Sequence, residues 1–302
     1  MTLSKEKYTL RPAAALAAAG CMLSMIMKGG DNMIIYGCDF SGAKNPEGKI
    51  FVASGRLDGD SLTVEEVSSC EDRLDLYYLI RNSRAPWGVD FPFSIPEYYL
   101  GQQYDSSWDK FIQGAYEDSR EQFKQRFGQI HSGKNSRDLR VTDIAVDAKS
   151  PVSSTPIAMH AMLYGARRLL HNLQGEAAVY PFQPYRAEVP RLYEIYPGHG
   201  WKALKLKSSA PDVLRDLSAS FKAQVDSGFE VTISPAAAAA AVDARGQANL
   251  HARDAVMACI QMAYCLRQYK LESNEEECRP AFASQEEWEM RMLEGLVVRM
   301  FP

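Results

Sequence analysis

Apolar positions along this chain come in runs of two kinds. The first run, Met33-Ile34-Ile35-Tyr36-Gly37-Cys38, is continuous, contains β-branched residues, and ends at Asp39 before the small-residue turn Ser41-Gly42-Ala43. A short apolar run closed by a turn signal predicts a strand buried on both faces. Residues 49–56 and 62–67 predict two more strands, and Asp58-Gly59 between them is the signal of a tight hairpin. From 71 to 82 the spacing becomes helical, with Leu74, Leu76, Tyr77, Leu79 and Ile80 available for a buried face. Pro86-Trp87 closes that helix, and Gly88-Val89-Asp90-Phe91-Pro92-Phe93-Ser94 predicts a fourth short strand finishing in an aspartate. The expected order to this point is β-β-β-α-β.

Residues 97–150 are polar and aromatic-rich, with Trp108, Phe111, Tyr116, Phe123 and Phe127 at helical intervals. They predict a helical insertion over one end of the sheet, followed by the loop Arg140-Val141-Thr142-Asp143. A strong helix is expected over 155–173, where Ile157, Met159, Met162, Leu163, Ala166, Leu169 and Leu170 recur near the helical period. Strands are expected at 177–182 and 191–197, the second stopped by Pro197-Gly198. Helices follow at 211–227, at 236–241 by alanine propensity, and at 250–269. The expected organisation is a poorly ordered extension over 1–32, one α/β domain over 33–270, and a tail over 271–302 that begins acidic and exposed.

At 302 residues, with 46% hydrophobic and 24% charged, the chain has room for one large domain or two small ones. A formal charge of −4 leaves no basic footprint of a general nucleic-acid binder. That lowers the expectation of a nuclease without removing it, since metal ions neutralise acidic sites. The six cysteines show no CxxC and no zinc-like spacing, which fits reduced thiols in a cytoplasmic protein. Leu16-Ala17-Ala18-Ala19-Gly20-Cys21 is loosely similar to a lipoprotein signal, but the run is short for a membrane span and Lys28 interrupts its continuation. A natural start near Met33 is the plainer account, and no membrane span is expected. The sequence says nothing of oligomeric state. There is no internal repeat and no nucleotide-binding glycine fingerprint.

Four acids sit among apolar or small residues: Asp39, Asp90, Glu194 and Asp254. Asp39 has a plain alternative as the cap of the following loop. Around Asp254 the helix is apolar nearly all round, so it is buried, and a 100° step places Asp254 in line with Ala258, Gln261 and Cys265. Without a large residue on that strip the helix can approach the sheet edge closely. An acid in a first helical turn is favourable by itself, yet a buried unpaired carboxylate is costly and demands a partner. Acids from separate segments, two at strand ends, suggest a site for Mg²⁺ or Mn²⁺, which take hard oxygen ligands. Two such ions can activate water and stabilise a leaving oxygen in phosphodiester hydrolysis.

Three meandering strands, a helix, a fourth strand and a final acid-bearing helix resemble the layout of the ribonuclease H-like superfamily. Gly37-Cys38-Asp39-Phe40-Ser41-Gly42, Gly88-Val89-Asp90-Phe91-Pro92-Phe93-Ser94, Arg140-Val141-Thr142-Asp143, Glu194-Ile195-Tyr196-Pro197 and His251-Ala252-Arg253-Asp254-Ala255 together resemble the motifs of the domain-of-unknown-function family DUF429. The resemblance runs from about Met33 to Tyr269. It implies a mixed sheet flanked by helices with helical insertions, and a nuclease acting on DNA or RNA. It further implies Asp39, Asp90 and Asp254 as metal ligands, His251 as a group positioning water or metal, and Glu194 as a further catalytic acid. Glu194 has a second expectation, pairing with Arg140, Arg191 or Arg253 behind the site. No acid at Glu71, Asp72 or Asp75 falls where ribonuclease H has its helical glutamate, which argues against hybrid cleavage in particular.

Other candidates weigh less. Ser41 and Lys44 are placed to hold a phosphate or simply to form a solvated loop. His131, His160 and His171 share no ligand spacing, His199 lies in a flexible Pro-Gly-His-Gly, and Ser94 lacks the surround of an acyl-transfer nucleophile. Two rival functions remain open. Asp39-Phe40-Ser41-Gly42 could pass for the first phosphate loop of actin-like or sugar-kinase ATPases, although no second domain copy follows. A non-catalytic binding module on the same fold is the other.

Overall fold

In the computed structural model, residues 32–301 are described, apart from 129, 131–134, 156–158, 244, 270 and 272–278. The expected extension over 1–32 therefore lies almost wholly outside the described residues, as do His131, Ile157 and most of the acidic stretch after 271.

The first apolar run becomes β1 (Asn32–Asp39), followed by β2 (Ile50–Asp58) and β3 (Ser61–Cys70) in an antiparallel meander. Helix α1 (Arg73–Asn82) leads to β4 (Pro86–Asp90), which lies parallel to β1. Pro86 and Trp87 open this strand instead of merely ending the helix. The insertion holds α2 (Glu97–Tyr104), α3 (Trp108–Gln113), α4 (Arg120–Phe127) and α5 (Val141–Ala145), with two 3-10 turns. The expected loop at 140–143 is the start of α5, with Arg140 at its N-cap. After α6 (Met159–Asn172) come the two-residue β5 (Ala178–Val179) and β6 (Arg191–Ile195), which pairs parallel with β4.

Between there and the last long helix come α7 (Pro197–Ala203), α8 (Val213–Gln224) and β7 (Glu230–Ile233). The alanine run forms α9 (Pro235–Ala240), and α10 (Leu250–Tyr269) has the expected ends. Residues after 278 are no tail. They supply α11 (Gln285–Glu294) and β8 (Val297–Val298), and β8 extends the sheet by pairing with β6.

The product is an α/β structure with one eight-stranded mixed sheet, ordered β5-β6-β4-β1-β2-β3-β7 with β8 also on β6. Alternation along each strand sends residues to two cores. Ile35, Ala53, Tyr193 and Ile195 face the core under α10, while Cys38, Val52, Trp87, Val89 and Leu192 face the core under α1 and α6. Helix α10 lies against β1, β4, β2 and β3. Its closeness has a specific cause. A Cβ on Gly37 would sit 2.1 Å from the backbone nitrogen of Cys259, and one on Gly88 would sit 2.9 Å from the carbonyl oxygen of Ala258. Gly37 and Gly88 are in register on the paired strands, so they form a flat trough that seats the helix backbone. Among the described residues no helix is long and apolar enough to cross a membrane. Cys38, Cys70, Cys259 and Cys265 are buried free thiols.

Candidate active site

The trough fixes what meets at the end of the sheet. Asp39 and Asp90 are register partners at the C-terminal ends of β1 and β4, and paired strands lie about 4.8 Å apart. Asp39 follows Gly37 by two positions and Asp90 follows Gly88 by two, so both carboxylates share the α10 face. The first turns of α10 bring His251 and Asp254 to the same place, with Ala252 bonded to the Asn249 side chain at 3.3 Å as a cap. Arg253, between them, turns away and donates to the carbonyls of Ser208, Ala210, Pro211 and Ala241, pinning the helix start. It neutralises none of the acids.

His251 Nδ1 lies 2.8 Å from Asp39 Oδ2, and its ring is parallel to Phe51 with centroids 6.4 Å apart. Bound to an ionised Asp39, the imidazole donates through Nδ1 and presents Nε2 outward from a half-exposed side chain. That hydrogen bond raises the His251 pKa, against burial. Asp39 is buried, which raises its own pKa, and the His251 bond partly offsets the rise. Asp254 accepts a 2.6 Å hydrogen bond from Trp201 Nε1 at Oδ1. Burial lifts its pKa to about 6, with the Trp201 bond opposing and the Asp39 charge adding.

Asp90 is the outlier. Among the described residues no side-chain hydrogen bond or ion pair reaches it, and burial followed by the charges of Asp39, Asp254 and Glu194 holds its pKa well above the usual carboxylate range. Three acids thus act on one another's charge, and among the described residues the ion pair made with them is that of His251 with Asp39.

Glu194 is not among them. On β6 it shares parity with Leu192, which packs in the core under α1 and α6, so its side chain leaves the sheet on the face opposite Asp39 and Asp90. There Arg140 meets it through two donors, at 2.5 Å to Oε1 and 2.9 Å to Oε2, and the Phe93 backbone N–H donates to Oε2 at 2.9 Å. Burial pushes the Glu194 carboxyl up while Arg140 pulls it back. Arg140 also grips Asp143, at 2.7 Å to Oδ1, and the two carboxylates together hold the guanidinium charged despite its burial. Of the two expectations for Glu194, the structure supports the pairing with Arg140.

Trp201 is the site residue that the sequence reading missed. Pro197, read there as a strand stop, is also the first residue of α7, a position where proline's fixed φ suits a helix. Reading it so would have carried Trp201 toward the aspartates. Of the other histidines, His160 is buried against the Ser153 carbonyl and His171 contacts that of Ile112. The Ser94 hydroxyl donates to the Leu293 carbonyl.

The donor set is oxygen-rich and suits a hard divalent cation. As the side chains stand, no group of three or more His, Cys, Asp and Glu among the described residues is gathered as a ready metal site. Compared with protein-family models, curated proteins and solved structures, the chain matched none.

Proposed function

We propose that this chain is a metal-dependent nuclease on a ribonuclease H-like sheet, related to family DUF429, hydrolysing nucleic-acid phosphodiester bonds. The observation that carries the reading is Asp90: a carboxylate without a side-chain partner among the described residues, pressed by Asp39 and Asp254. A partly buried carboxylate in that setting is relieved by taking up a proton or by binding a cation, and a divalent cation would relieve all three acids at once. The strand order β3-β2-β1-β4-β6, antiparallel and then parallel, is in keeping with the proposed fold.

Asp39, Asp90 and Asp254 would hold Mg²⁺ or Mn²⁺, which would lower the pKa of bound water and offset charge on the phosphodiester oxygens. Trp201 fixes the rotamer of Asp254 by occupying Oδ1, leaving Oδ2 for a ligand. Asp39 holds the His251 ring so that Nε2 points outward, where it can orient a water or accept its proton. Glu194 does no chemistry in this scheme. Through the Phe93 N–H it fixes the segment that follows Asp90.

Cleavage of labelled DNA and RNA strands with Mg²⁺ or Mn²⁺ is the test. Activity is expected to vanish in Asp39→Asn and with EDTA, and to fall by about 10–100-fold in His251→Ala, as for groups that orient a metal ligand. Equal cleavage by wild type and a folded Asp39→Asn variant would overturn the proposal.

A further inference from the structure

On the sheet face opposite α10, a second concavity gathers four cations against one acid. It is a cavity of about 450 Å³, within the range of small-ligand pockets. Lys44, Arg73, Arg120 and Arg168 line it, and Glu121 is the only acidic residue in its wall. In a chain of net charge −4 such a concentration of positive charge needs a cause.

Structural duty accounts for only part of it. Arg73 donates to the carbonyls of Ser41 and Ala43, and Arg120 to that of Gly42 at 2.7 Å, so the loop after Asp39 is held by two guanidiniums. Each has further donors. Arg73 Nε is buried and has no partner among the described residues. Neither these arginines nor Arg168 and Lys44 form a salt bridge among the described residues. Aromatic faces hold the three arginines, and Arg168 Nε also donates to the Ala115 carbonyl at 3.3 Å. Arg168 lies 4.2 Å from the Tyr116 ring centroid and 5.0 Å from that of Tyr164, Arg120 lies 5.1 Å from Tyr164, and Arg73 lies 5.6 Å from Phe40. Stacking orients a guanidinium without cancelling its charge and leaves its N–H edge free for planar recognition of an oxyanion. Burial and then the neighbouring Arg120 charge push the Arg73 pKa down, with the Asp72 charge opposing them. Arg73 and Arg120 are also the first residues of α1 and α4, where the helix dipole disfavours a cation.

We infer that this pocket binds a phosphate-bearing ligand, its phosphoryl oxygens meeting Lys44, Arg73, Arg120 and Arg168. Arginine edges fixed by aromatic stacking match phosphate geometry in pairs, and Tyr77 and Tyr116 in the wall offer flat surfaces to an attached group. The inference does not rest on the carboxylate site, from which the sheet separates it. Two sources share the chemistry: the backbone of a nucleic-acid strand, or a free phosphorylated small molecule.

Calorimetric titration of the full chain in EDTA, which excludes metal-dependent binding at the aspartates, would use inorganic pyrophosphate, a nucleoside diphosphate, and a short single strand lacking terminal phosphate. Saturable binding of at least one probe is expected, weakened about tenfold in Lys44→Gln and again in Arg168→Gln, since a charge-assisted hydrogen bond is worth about 1.5 kcal/mol or more. Lys44 is exposed, so its variant reports on binding even if Arg168→Gln fails to fold. A strand that binds and is displaced by pyrophosphate identifies the polymer as source; small phosphates binding alone identify the free ligand. No saturable binding of any probe, binding indifferent to Lys44→Gln, or binding lost in Asp39→Asn would overturn the inference.

Discussion

Asp254 answers to two opposing influences, burial and the Trp201 indole, and that makes it a residue whose ionisation can be watched. Its pKa of about 6 lies above the ordinary aspartate value, so the unfolded chain releases this proton first. The sign follows from linkage. Stability linked to Asp254 is fully present below about pH 4, and it is lost as pH rises through about 6. Trp201 donates directly to this carboxylate, so its fluorescence should report the event. In metal-free protein we expect a fluorescence transition with a midpoint near pH 6, absent in Asp254→Asn, accompanied by a falling thermal midpoint as pH rises across the same window. A flat titration, or one that survives in Asp254→Asn, would remove Asp254 from the cluster. At this scale the sequence exposed Asp39 and Asp90 because each closes an apolar run before a turn. Glu194 also occurs in such a run, but which face it takes depends on strand parity. Leu192, Tyr193 and Ile195 around it are all apolar, so no polar alternation marks the two faces.

The meeting of α10 with β1 and β4 is what turns scattered acids into a cluster. Ala255, Ala258 and Cys259 on the helix ride on Gly37 and Gly88. Neither side can yield cheaply, because the atoms met by an added methyl include backbone. Gly37→Ala should therefore cost at least the usual overpacking penalty of about 1–3 kcal/mol, read by chemical denaturation. It should also weaken Mg²⁺ binding by displacing Asp254, although residue 37 touches no ligand. Full stability with unchanged metal affinity in Gly37→Ala would show that the helix seat does not position the acid. Small residues on an otherwise apolar helix were readable, and α10 has the expected ends. Shorter elements were not. Strands β5 and β8 have two residues each, too few for a period to show, and they exist because β6 offers an edge. Leu74 reads as core by spacing, yet it is exposed, lying against the basic pocket.

Across the whole molecule, the two faces of the sheet treat charge in opposite ways. Behind the sheet, Arg140 binds Glu194 and Asp143 and donates to the Glu294 carbonyl at 3.1 Å, joining β6, α5 and the end of α11. The Glu294 carboxylate in turn accepts from the backbone N–H groups of Glu97 and Val141, each at 2.7 Å, the first residues of α2 and α5. Insertion, sheet and C-terminal segment thus share one satisfied network. At the front, Asp90 has no side-chain partner among the described residues and is repelled by its neighbours. The stability consequences should have opposite signs. Arg140→Gln strands two buried carboxylates and should cost about 3–5 kcal/mol. Asp90→Asn removes a repelled charge while nearly keeping its shape, and should stabilise the metal-free protein, raising its thermal midpoint by about 2–4 °C for each kcal/mol gained. Added Mg²⁺ should raise the wild-type midpoint and leave that of Asp90→Asn almost unmoved, because a ligand stabilises only the fold that binds it. If Asp90→Asn melted below wild type without metal, the carboxylate would be serving the fold, and the tension assigned to this end of the sheet would not exist.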